Sequence, residues 1–176
     1  MKLKALFFLA GLAPAFAFAA PTVTFQGEVS DQTCTATING QTNSIVLLPT
    51  VPVSALSSAG QVAGLTPFTV HLSDCTAPTV AAQDINITFL GYAVTNGNLG
   101  NLAVNDPATN VQIQLTTTDE GTNAIQLNGV TAVSGLSLPI GETSTNFTFG
   151  AQYISVGGPA TAGAVTAVAE YALEYL

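Results

Sequence analysis

Basic side chains are almost missing from this 176-residue chain: Lys2 and Lys4 stand alone against ten aspartates and glutamates. Without a basic patch there is nothing to grip phosphates, which excludes nucleic acid as a partner, and without arginine there is no bidentate clamp for carboxylates. Tryptophan is absent and histidine occurs once, as His71. That scarcity leaves the many serines and threonines without an orienting base, so no nucleophilic triad can be assembled and no enzyme is expected. His71 alternates with Thr69 and Ser73, opposite Phe68 and Leu72, and reads as a solvated strand residue. Asp119-Glu120-Gly121 reads as a turn between strands rather than a calcium site, so neither metal nor cofactor is expected.

What is present begins with an export signal. Lys2 and Lys4 precede an apolar run over residues 5–18, and Ala17-Phe18-Ala19 supplies the small residues that a signal peptidase reads. Cleavage is expected after Ala19, because cutting one residue later would leave Pro21 directly behind the scissile bond. The run is too short to span a bilayer and none like it follows, so the mature chain is expected to be exported with no membrane insertion. Losing the signal removes both lysines, leaving no tryptic site. With 48% hydrophobic residues the remainder can bury a core, and its length suits one domain.

Cys34 and Cys75 are the only cysteines, and in an exported chain such a pair reads as a disulfide rather than a redox or metal site. No convincing helical repeat appears. Period-two segments bounded by Gly, Asn, Pro and Asp recur instead, which predicts strands over 35–38, 44–48, 66–73, 84–90, 111–115, 124–127 and 147–153, and a last one over 165–176. Many short strands with frequent turns predict an all-β sandwich. The Ser-, Ala- and Gly-rich stretch 51–64 fits a loop, an edge strand or one helical turn. Asn86-Ile87-Thr88 and Asn146-Phe147-Thr148 match the glycosylation pattern but fall inside predicted strands.

Both ends of the mature chain are strand-patterned. Val23, Phe25, Gly27 and Val29 alternate near its start, and Ala169, Tyr171, Leu173 and Tyr175 near its end. Two ends with apolar rows to bury are what a subunit carries if it joins others by lending a strand. Gly27 is costly inside a strand unless another backbone approaches closely.

These residues carry a family resemblance. Phe25-Gln26-Gly27-Glu28-Val29 shortly before Cys34, the pair Cys34 and Cys75, Phe89-Leu90-Gly91, Val111-Gln112-Ile113, Ala151-Gln152-Tyr153, Gly157 with Thr161-Ala162-Gly163, and Tyr175 as penultimate residue occur in a telling order. The chain resembles the pilus subunits of the Gram-negative chaperone–usher pathway, of the type 1 fimbrial kind. The resemblance implies an incomplete, six-stranded immunoglobulin-like sandwich lacking its last strand, and three segments: a signal peptide (1–19), a donor-strand extension (20–32) and a pilin domain (33–176). It implies that Pro21, Val23, Phe25, Gly27 and Val29 form the donor strand, with Pro21 entering the first pocket and Gly27 lying over a shallow fourth one. It further implies that Ala169, Tyr171, Leu173 and Tyr175 form the groove edge that a periplasmic chaperone grips, with the Leu176 carboxylate held by the chaperone's basic side chains. Leu176 itself departs from the polar last residue common in that family. Identical or related pilin subunits and an outer-membrane usher are the other implied partners, and a surface fimbrium the implied destination. The rival reading is a minor tip or adaptor subunit, or an adhesin that binds a host glycan.

Overall fold

Alternating apolar residues become strands wherever a neighbouring strand can take up their backbone groups. The computed structural model describes residues 33–176, and among these it contains β1 (Thr35–Ile38), β2 (Val62–Ser73), β3 (Gln83–Gly91), β4 (Val111–Thr116), β5 (Val130–Leu138), β6 (Thr145–Ser155) and β7 (Ala169–Tyr175). They form two antiparallel sheets, ordered β1-β2-β6-β4 and β5-β3-β7. The first order is that of the A-B-E-D sheet of an immunoglobulin domain, and β3 and β7 take the C and F places of the other. Beside β7, on the side away from β3, the fold calls for a seventh immunoglobulin strand. No strand among the described residues lies there.

The core is the sum of the inward rows. Phe68, Val70 and Leu72 of β2, Ile85, Ile87 and Phe89 of β3, Ile113 and Leu115 of β4, and Phe149 of β6 are all buried in one cluster. Phe149 ties the layers together: it stacks on Phe68 within its own sheet at 5.6 Å and meets Phe89 of the facing sheet edge-on at 5.5 Å. A bulge between Ala63 and Thr66 bends β2, and Gly64 takes φ +69° there. The disulfide Cys34–Cys75, with Cα atoms 4.2 Å apart, fastens the start of β1 to the end of β2.

Several expected elements differ from those observed. Residues 44–48 form no strand: Val46 and Leu48 pack on the core and Ile45 and Leu47 are exposed, so the alternation is real, but no described strand pairs with it. Residues 124–127 make single bonds to two neighbours, Ile125 N–H to Leu115 O and Leu127 N–H to Gly97 O, rather than a ladder. The last strand starts at Ala169 because residues 164–166 bond to other loops, Leu102 N–H to Thr166 O and Ala108 N–H to Ala164 O. Strand β5, absent from the expected set, brings the described strands to seven instead of six. Its alternation is hidden by Gly135 at φ +81° and by a register shift between Ile85 and Ile87 of its partner. The undecided stretch holds one 3-10 turn, Val53–Leu56, with Leu56 buried, and then enters β2 at Val62.

Candidate functional site: the open edge of strand β7

The ladder between β3 and β7 decides what β7 offers to its other side. Ile85 lies opposite Tyr175 and Gly91 opposite Ala169. In the same register Tyr92 N–H donates to Val168 O at 3.0 Å and Leu176 N–H to Asp84 O at 3.1 Å. Hydrogen-bonded and non-bonded pairs alternate in an antiparallel ladder, so the even residues of β7 exchange their backbone bonds with β3. The odd residues, Ala169, Tyr171, Leu173 and Tyr175, therefore aim N–H and C=O at the opposite edge. Their side chains point inward as well: with Val165 and Ala167 they form a half-buried row packed against the core. Ala36 and Ile38 of β1, and Val46 and Leu48 beyond it, belong to the same half-buried fringe.

Two tyrosines reach from this row to β1. The Tyr171 hydroxyl donates to Ala36 O at 3.2 Å. Burial pushes the pKa of both Tyr171 and Tyr175 up, and a backbone hydrogen bond from Cys34 offsets part of that rise at Tyr175. The disulfide thus holds the strand on which both tyrosines rest. On the outer face, Asn86 Nδ2 donates to Glu174 Oε2 at 2.8 Å and Gln83 Nε2 to the Leu176 carbonyl at 2.7 Å. The Tyr92 hydroxyl bonds Glu170, and that bond, followed by the glutamate charge, raises the tyrosine pKa.

At its Val165 end the row runs into a cavity of about 410 Å³, lined among others by Val51, Pro52, Val53, Leu56, Ala108 and Val165. The sequence pattern contained no sign of this cavity, because its walls come from segments far apart in the chain: the stretch 50–56, Ala108 and Val111, Tyr153, and residues 160–165. Ala36, Ile38, Val46 and Leu48 were also missed as part of the site, although the alternation of 44–48 was visible. Pro21, Val23, Phe25, Gly27 and Val29 lie outside the described residues, as do the expected signal and its expected cleavage after Ala19. His71 is half-exposed on β2, and its Nδ1 lies 2.7 Å from Asn146 Oδ1 of the neighbouring strand. No group of three or more His, Cys, Asp or Glu among the described residues is arranged to hold a metal ion.

A two-sheet sandwich with no last immunoglobulin strand beside β7 among the described residues fits the class of incomplete immunoglobulin-like domains found in pilus subunits. The chain belongs to the fimbrial protein family, whose model matches residues 23–176. It is 41% identical to the F17 fimbrial protein of Escherichia coli over 157 residues, covering 87% of this chain and 86% of that one. It is 35% identical to the major fimbrial subunit SMF-1 of Stenotrophomonas maltophilia over 157 residues, 88% of this chain and 91% of the relative. Among solved structures it is similar to a type I fimbria protein and antigen of Burkholderia pseudomallei, with 25% identity and a TM-score of 0.56, over 82% of this chain and 99% of the other. The P pilus rod subunit PapA shares the fold at 17% identity and a TM-score of 0.59, over 81% and 99%. The chain is accordingly a structural subunit of a cell-surface fimbrium in Gram-negative bacteria, and related fimbrial subunits are its partners.

Proposed function

We propose that the subunit polymerises by donor-strand exchange, taking residues 20–32 of the adjoining copy onto the open edge of β7. The observation that carries this reading is the coincidence at Ala169, Tyr171, Leu173 and Tyr175: the residues that turn their side chains to the core also turn their backbone groups to the open edge. An incoming strand in one register satisfies both at once. Pro21, Val23, Phe25, Gly27 and Val29 are its inward row, spaced to match the odd residues of β7. Burying Val23, Phe25 and Val29 stabilises by roughly 1.5 to 3 kcal/mol each, and each main-chain bond adds about 0.5 to 1.5 kcal/mol. Run antiparallel to β7, as the missing immunoglobulin strand would run, the donor brings Val29 to the Val165 end and its cavity.

In this reading the domain is residues 33–176 and the signal, residues 1–19, is removed on export to the periplasm. A periplasmic chaperone grips Ala169, Tyr171, Leu173, Tyr175 and Leu176 until an outer-membrane usher passes the subunit into the fibre. We assign it no catalytic role. Deleting residues 20–29 should leave a subunit that is still bound by chaperone but cannot extend a fibre, as read by co-purification and by electron microscopy of the cell surface. Fibres of normal length from that deletion would refute the assignment.

A further inference from the structure

We propose that successive copies also touch through the two ends of the sandwich, the end that exposes Val80 and Ile140 seating on the end of the preceding copy that exposes Val53 and Val104. This rests on the donor-strand reading above. The first end gathers around the disulfide: Cys34 is bonded to Cys75, Cys75 N–H donates to Thr143 O at 3.0 Å, and Gly141 N–H donates to Pro78 O at 2.9 Å. The two loops so joined expose Val80 at 90% and Ile140 at 56%. At the other end Asn101 Nδ2 donates to Ala108 O and Ala164 O, both at 2.9 Å, closing a loop on which Val104 is 90% exposed. Val53, 49% exposed, lies on the 3-10 turn that lines the cavity there.

Strand directions bring these two ends together. The ladder with β3 runs β7 from the Val104 end, where Ala169 opposes Gly91, toward the Val80 end, where Tyr175 opposes Ile85. A donor strand antiparallel to β7 therefore leaves the accepting copy at its Val53 and Val104 end, with Val29 last. From Val29 to Cys34 the chain can span at most about 17 Å. Cys34 belongs to the Val80 end of the donating copy, so that end is held within this reach of the accepting copy. So short a tether gives an effective concentration in the millimolar range or above, at which even a small contact forms.

The chemistry of the contact follows from the composition. Past the signal there is no lysine or arginine, and the charges at these ends, Asp74 and Glu142 on one and Asp106 on the other, have the same sign. No ion pair between copies can form from such side chains, so the contact is made by the exposed apolar residues. Exposed valines are ordinary when scattered. Here they sit on both of the surfaces that the tether brings face to face.

Cysteine pairing in assembled fibres tests the arrangement. The chain carrying both Val80→Cys and Val104→Cys, and that carrying Val80→Cys and Val53→Cys, should give a ladder of covalent multimers on mild oxidation, surviving denaturation. Val80→Cys alone should give none. Fibres that assemble normally yet yield no ladder from either pair overturn the inference, and so does a covalent dimer from Val80→Cys alone, which would mean that like ends meet. To guard against poor folding of the cysteine chains, Val80→Ser with Ile140→Ser should form fibres that bend more sharply in micrographs; unchanged curvature counts against the contact. If a peptide of residues 20–32 fails to bind the subunit, the donor-strand reading itself has failed, and that result is separable from all of these.

Discussion

Replacing both Cys34 and Cys75 by alanine should cost the domain a large part of its stability. The bridge closes a loop with a sequence separation of 41. In the chain-entropy treatment a closure of that size stabilises by roughly 4 kcal/mol, against total stabilities of about 5 to 15 kcal/mol for domains of this kind. Cys75 is buried in the core cluster, so truncating it adds a packing loss of the same sign. The assay is guanidinium unfolding followed by circular dichroism. Excess peptide of residues 20–32 is added to both proteins so that the same completed sandwich is compared. The variant should unfold at much lower denaturant with a somewhat steeper slope, because the denatured chain, freed of its cross-link, is less compact and exposes more surface. A loss below about 1 kcal/mol would refute the reasoning, since it would mean that the open chain is not freed by removing the bridge.

Two further outcomes follow from the charges. Burial raises the pKa of Tyr153, Tyr171 and Tyr175 in the folded protein above the ordinary phenol value of 10.0. The stability they contribute is complete below that value and is lost as pH rises through the folded pKa, so unfolding free energy measured against pH should be flat near neutrality and fall under alkaline conditions. Changing the three tyrosines to phenylalanine should flatten the fall, and an unaltered alkaline limb would refute their part in it. Salt should act in the direction opposite to that of most ion-paired proteins. With no lysine or arginine beyond Lys4, raising ionic strength screens repulsion among carboxylates and should raise the thermal midpoint; a lower midpoint in sodium chloride would contradict this.

Most strands were legible because their inward residues alternate without interruption, as Phe68, Val70 and Leu72 do, or Ile85, Ile87 and Phe89. Where alternation was broken, as at Gly135 in β5, the strand was hidden, and where it was intact without a partner, as over 44–48, it misled. Strand formation depends on a neighbour, and a neighbour is a tertiary fact. The edge row of β7 was visible as a pattern, but its backbone direction emerged only from the register with β3. The cavity beside Val165 was invisible because its walls are contributed by residues more than 100 positions apart, such as Val51 and Ala164.

The parity of β7 also limits the mistakes that can be made at its edge. A strand displaced by one position forfeits core burial and main-chain pairing together, whereas one displaced by two regains both in kind. Errors of docking are thus confined to jumps of about 6.6 Å, and a filament built on such an edge would show discrete spacings between beads rather than a smear.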